Sequence, residues 1–62
     1  MLLNMKLPSL KIISVRDACN AALPGLKKNE AMKHYAAAEE ARGAMKEAES
    51  NRELDAATQA LL

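Results

Sequence analysis

The chain has 62 residues, with nine Lys or Arg against eight Asp or Glu, for a formal net charge of +1. A chain this short buries only about 60% of its unfolded surface, so it forms one domain at most and commonly needs a staple or a partner. A single cysteine excludes an internal disulfide, and no Cys/His cluster is present for a structural zinc, so association between copies is the remaining remedy.

Half of the residues are apolar, but alanine dominates them, and Phe and Trp are absent. Charge is unevenly placed. Residues 1–34 hold Lys6, Lys11, Arg16, Lys27, Lys28 and Lys33 against Asp17 and Glu30, a net +4. Residues 35–62 hold Arg42, Lys46 and Arg52 against Glu39, Glu40, Glu47, Glu49, Glu53 and Asp55, a net −3. Such a dipolar chain favours head-to-tail packing, or offers a basic face to an anionic partner.

In residues 1–13, Lys6, Pro8 and Lys11 interrupt the apolar run, so no signal-peptide core of sufficient length survives. Nothing reaches the roughly 20 apolar residues of a transmembrane helix, and a cytoplasmic protein without a membrane partner is expected. Leu3, Met5 and Leu7 alternate with Asn4 and Lys6, a strand-like period of two, and Pro8 limits any strand to an edge. The expectation is an extended arm over 1–13.

Ser14 and Asp17 fit a capping-box-like start, with Ser9 as an alternative, for a short helix over 14–23. Val15, Ala18, Cys19, Ala22 and Leu23 would form its inner side. Pro24-Gly25 ends it, because proline disfavours helix at the preceding residue and glycine permits a sharp reversal. Leu26 would plug the corner, with Lys27 and Lys28 solvated.

The main helix is expected over 29–49, with Asn29 as its cap and Glu30 against the positive end of the dipole. Ala, Glu, Lys, Met and Arg favour helix here. At 100° per residue, Ala31, His34, Ala38, Ala41, Met45 and Ala48 fall on one stripe. Alanine buries little area, so its use is geometric: it lets a second helix approach closely. Gly43 costs about 1 kcal/mol against alanine, and a close crossing is the expectation there.

Ser50 and Glu53 then form an S-x-x-E capping box. Leu54, Ala57 and Leu61 lie roughly half a revolution from the alanine stripe, so the apolar face turns across 49–53. The favoured explanation is a break followed by a third helix over 51–62 that folds back. The other is an unbroken helix meeting different partners at its two ends.

No single residue points to catalysis. His34 lacks a second ligand at metal spacing, and Cys19 lacks a neighbouring base. Glu39 and Glu40 diverge by 100° on a helix and cannot face one substrate together. Tyr35, the sole aromatic, reads as an interface anchor. No P-loop, dinucleotide fingerprint or H-E-x-x-H is present, so no enzyme, cofactor or small-molecule substrate is expected.

The expected fold is all-α, with two or three helices and the extended arm, assembled as a dimeric helical bundle. Leu7, Leu10, Ile12, Ile13, Val15, Leu23, Leu26, Leu54 and Leu61 would supply the buried bulk, with Met32, Tyr35 and Met45 filling gaps. The homodimer interface would comprise Ala31, His34, Tyr35, Ala38, Ala41, Met45 and Ala48. The expected function is a small non-catalytic interaction or regulatory protein that binds another protein.

An alternative follows from the order of parts: a short alternating segment, a helix, a Gly-containing turn and a helix. This resembles a ribbon-helix-helix DNA-binding regulator. The resemblance implies Asn4, Lys6 and Lys11 facing the groove, with Lys27, Lys28 and the helix start after Asn29 meeting phosphate. Pro8 and the acidic C-terminal third depart from that pattern. In the style of the whole chain, short, alanine- and charge-rich with a ragged hydrophobic start, the sequence also resembles the small early-region accessory proteins of lambda-like bacteriophages. That resemblance rests on no motif; it implies a cytoplasmic, non-catalytic modulator.

Overall fold

A computed structural model describes residues 10–62 of the chain. These residues form three helices, α1 (Leu10–Ala21), α2 (Leu26–Gly43) and α3 (Glu47–Leu61), and no strand occurs among them. The first nine positions of the expected arm lie outside the described residues. Its last four are helical, so α1 begins at Leu10 rather than Ser14.

Ile12, Val15 and Cys19 explain the earlier start. They recur at spacings of three and four, and all three are buried. Ser14 is exposed in the helix interior and caps nothing. On the expected inner side of this helix, Val15 and Cys19 are buried, whereas Ala18 and Leu23 are exposed. Leu23 lies beyond the helix end, where Pro24 follows, and its side chain faces away from the core.

The α1–α2 turn depends on Gly25. Its φ of 153° and ψ of −171° belong to a region that only glycine enters without strain. The Asn29 amide bonds to the Gly25 carbonyl oxygen at 3.0 Å, so α2 has already begun and Asn29 lies inside its first turn. The expected cap at Asn29 is therefore replaced by Gly25.

The break between α2 and α3 lies at residues 44–46, before the expected position at 49–53. The Lys46 amide reaches back to the Ala41 carbonyl at 2.8 Å, and the Met45 amide bonds to the Arg42 carbonyl at 2.9 Å. This pair is the Schellman arrangement, which needs a left-handed residue after the helix. Met45 fills that place at φ 63°, although Gly43 stands two residues earlier. Ser50 accordingly sits within α3, and its expected capping role gives way to Lys46 at the cap position, which makes no side-chain cap bond. Glu47 and Glu49 lie in the first turn of α3, where the helix dipole favours them.

The half-revolution between the two apolar stripes now has a geometric cause. The chain reverses at Met45, and the stripe on α2 faces the stripe on α3. Ala31 and Ala38 are 0% exposed, as is Ala57, and Leu54 is 1% exposed. The α2–α3 hairpin is the most extensive pairing, and α1 lies across one of its faces. Ile13, Tyr35, Ala60 and Leu61 flank the core. Leu10, Leu23, Leu26 and Met45, expected to contribute buried bulk, are all more than 80% exposed, and Met32 is 40% exposed. Leu7 lies outside the described residues.

Candidate interaction surface

The α2–α3 contact carries two polar links as well as its alanine seam. Ser50 Oγ donates to the Ala38 carbonyl oxygen at 3.0 Å, in a buried position. His34 Nδ1 and Glu53 Oε1 lie 2.7 Å apart, and both side chains are a little over a third exposed. The two residues that read as a capping box therefore reach sideways to α2. Among the described residues, no buried side-chain polar atom lacks a partner. A hydrogen bond of this kind contributes about 1 kcal/mol, with a larger loss if one partner is left unpaired in the core.

These links close the seam within one chain. Of the seven residues expected at a dimer interface, Ala31 and Ala38 are wholly covered by the chain's own helices. His34 is tied to Glu53, and Tyr35 Oη donates to Glu39 Oε2 at 3.1 Å beside α1. Ala41 is half-buried, Ala48 is exposed on α3, and Met45 projects from the turn. The seven residues therefore do not form one free surface.

The basic residues of the nucleic-acid reading also separate. Asn4 and Lys6 lie outside the described residues. Lys11 Nζ pairs with Asp55 at 2.8 Å, and Lys27 Nζ donates to the Leu62 carbonyl at 3.0 Å. Lys28 is half-buried near the α1–α2 turn. Only Lys27 and Lys28 share a location.

That location holds the feature that periodicity did not reveal. Leu23 is 84% exposed and Leu26 is 83% exposed, on either side of Pro24-Gly25. Leu23 lines a hollow of about 400 Å³ with Ala18, Ala21, Ala22, Leu61 and the two lysines. The available signal was the turn itself: two leucines flanking Pro-Gly in so short a connection cannot both fold beneath it.

A second, more polar groove of about 450 Å³ runs between α2 and α3 toward the other end of the hairpin. Ala37, Glu40 and Ala41 line it from α2, Ala44 and Lys46 from the turn, and Glu49, Arg52 and Glu53 from α3. At 100° per residue, Ala37 and Ala44 lie about half a revolution from Tyr35 and Arg42, which border α1. The groove thus occupies the hairpin face that α1 leaves open.

Chemically the arrangement is suited to contact. Cys19 is 1% exposed, and burial pushes its thiol up from the ordinary value, opposed in part by the positive charge of Lys28. A protonated, buried thiol is a poor nucleophile. Among the described residues, no three His, Cys, Asp or Glu side chains converge on a possible metal position. No described helix is long and apolar enough to cross a membrane.

No family model matches the chain, and comparison with curated proteins and with solved structures gives no match either.

Proposed function

We propose that this chain is a small non-catalytic interaction protein, which self-associates as a homodimer and binds another protein. The observation that carries this reading is the exposure of Leu23 and Leu26 after three helices have packed together. Scattered single apolar residues on a surface are ordinary, but adjacent ones beside an apolar hollow mark a contact site. Leu23 lines such a hollow together with Lys27 and Lys28, and Leu26 is exposed just across the Pro24-Gly25 turn.

The thin core supports the same reading. Ile12, Val15, Cys19 and Leu54 are its only wholly buried side chains larger than alanine or serine among the described residues. Covering two leucines is worth about 1.5–3 kcal/mol each at full burial, a large fraction of the stability of a domain this size. A non-catalytic regulatory role in the cytoplasm, like that of the phage accessory proteins the chain resembles in style, fits these properties.

A paired pull-down tests the heterologous half of the proposal. Wild-type protein and the Leu23→Asp/Leu26→Asp variant are compared in extract, each with and without nuclease. A specific protein retained by wild type alone, and indifferent to nuclease, is the expected result. Equal retention by both proteins would remove the leucine end from the account. Sedimentation tests the homodimer separately, and a folded monomer at all accessible concentrations would eliminate it.

A further inference from the structure

We infer that the hollow beside Leu23 receives a bulky apolar side chain of the partner protein, flanked by carboxylates that meet Lys27 and Lys28. This rests on the heterologous half of the proposed function and specifies the chemistry of the partner. The hollow has an aliphatic lining that includes Ala18, Leu23 and Leu61, completed by the two lysines, and no acidic residue borders it. The groove between α2 and α3 differs in kind, because Lys46 and Arg52 share it with Glu40, Glu49 and Glu53. There the chain answers its own cations. At the leucine hollow it does not.

The ion pairs point the same way. Lys11 pairs with Asp55 and Lys33 with Glu30, whereas among the described residues no Asp or Glu side chain pairs with Lys27 or Lys28. Successive positions on a helix diverge by about 100°, so the two lysines leave α2 in different directions. Lys27 Nζ donates to the Leu62 carbonyl oxygen at 3.0 Å, at the end of α3. That bond uses one of its three hydrogens and holds the group in place with two left for a ligand. Lys28 is half-buried, and its positive charge reaches the buried Cys19 thiol of α1. The first turn of α2 adds to the positive potential, since it holds no acidic residue and has no side-chain cap.

The partner's features follow from this corner. An apolar anchor covers Leu23, which is 84% exposed, and carboxylates on either side of that anchor neutralise the two ammonium groups. A phosphate backbone would meet the lysines and leave the leucine bare, so an acidic protein segment fits better than a nucleic acid. Anchors seated in such hollows carry much of an interface's affinity, while opposed charges set its orientation and association rate.

Zero-length carbodiimide coupling, which joins an amine to a carboxylate in contact with it, tests the inference on the protein retained in the pull-down. Mass spectrometry should show Lys27 and Lys28 joined to Asp or Glu residues that bracket a bulky apolar residue in one short segment of the partner. A synthetic peptide of that segment should bind the full chain, more weakly as salt is added. Lys27→Glu/Lys28→Glu should weaken that binding by roughly tenfold or more, and Lys27→Arg/Lys28→Arg should bind much as wild type does. Ala18→Glu supplies a carboxylate to the hollow from within the chain, so it should weaken binding more than Ala18→Gln.

Coupling to a segment that lacks an apolar residue, or binding indifferent to the lysine reversal, would overturn the inference while leaving the protein partner standing. Coupling of Lys27 or Lys28 to another copy of this chain would place that copy in the hollow and overturn it likewise. Retention of no specific protein by wild type would remove the heterologous reading and the inference together. Circular dichroism of every variant should match wild type, since Ala18 and Lys27 are exposed and glutamate suits the first turn of a helix at Lys28.

Discussion

Ser50 and Ala38 are joined across the hairpin: the serine hydroxyl donates to the alanine carbonyl at 3.0 Å, with both residues buried. It is the buried one of the two polar links between α2 and α3, the half-exposed His34–Glu53 pair being the other. It makes Ser50 a packing residue as well as a donor.

Replacing Ser50 by Ala should cost about 0.5–1 kcal/mol, because the lost bond is offset in part by the better helix propensity of alanine. Ser50→Val should cost more, about 1–3 kcal/mol, since added methyl groups meet a seam without spare volume. For a domain of this size, each kcal/mol corresponds to about 4–8 °C, so thermal melts followed by circular dichroism would separate the two variants. A Ser50→Val protein as stable as wild type would show that the helices are not closely apposed at this point.

Leu54→Ala should be among the most damaging single truncations, at about 2–5 kcal/mol. Leu54 is among the largest fully buried side chains. At roughly 0.05–0.15 kcal/mol per residue, the whole chain is stable by only about 3–9 kcal/mol. Urea titration should therefore show Leu54→Ala with a midpoint far below that of wild type, because the loss is a large share of the total. A loss below 1 kcal/mol would contradict its place in the core.

Ala38→Leu and Ala41→Leu should differ. Ala38 is 0% exposed and faces Ser50, so a leucine there overpacks the seam at a cost of about 1–3 kcal/mol. Ala41 is half-buried at the groove edge, and a leucine there can turn toward solvent. Its melting temperature should fall less, but if the groove is covered by a second copy its dissociation constant should rise. Similar melts for the two variants would argue against the described asymmetry.

Met45→Gly should stabilise the fold modestly. A non-glycine residue in the left-handed region carries a conformational penalty of about 1–2 kcal/mol, and glycine removes it while adding about 0.5–1 kcal/mol of unfolded-state entropy. A rise of a few degrees in the melt is expected. The same substitution removes an exposed apolar side chain, so self-association should weaken as stability rises.

Alkaline pH should weaken the fold through Tyr35. Burial, then the hydrogen bond to Glu39 and that carboxylate's charge, raise its phenol above the ordinary value of 10.0. The neutral phenol is thus favoured in the folded state. Its contribution is fully present below about pH 10 and is lost as pH climbs through the higher folded value. Tyr35→Phe should flatten the stability profile above pH 10, and an unchanged slope in urea titrations there would count against the effect.

Most of the architecture was readable where spacing and propensity agreed. Val15 and Cys19, and Leu54 and Ala57, fall on helical stripes, and the phase change between the α2 and α3 stripes implied a reversal. Its position was obscured because Ser50 and Glu53 mimic a helix start. In the folded chain they serve Ala38 and His34 instead. The turn itself uses Met45 where glycine would be expected, so local propensity pointed to the wrong residue. The fate of Leu23 and Leu26 was hidden for another reason. Hydrophobicity places a residue in contact with something, but not with its own chain.

The brevity of the turn at residues 44–46 also governs how the molecule assembles. Because α2 and α3 are near neighbours along the chain, little loop-closure entropy opposes their pairing, and low contact order favours rapid folding. α1 makes the fewer contacts and docks onto a hairpin that can form without it. It should therefore be the first segment to open, and native-state amide exchange should show its protons exchanging through a sub-global event while those of α2 and α3 follow global unfolding.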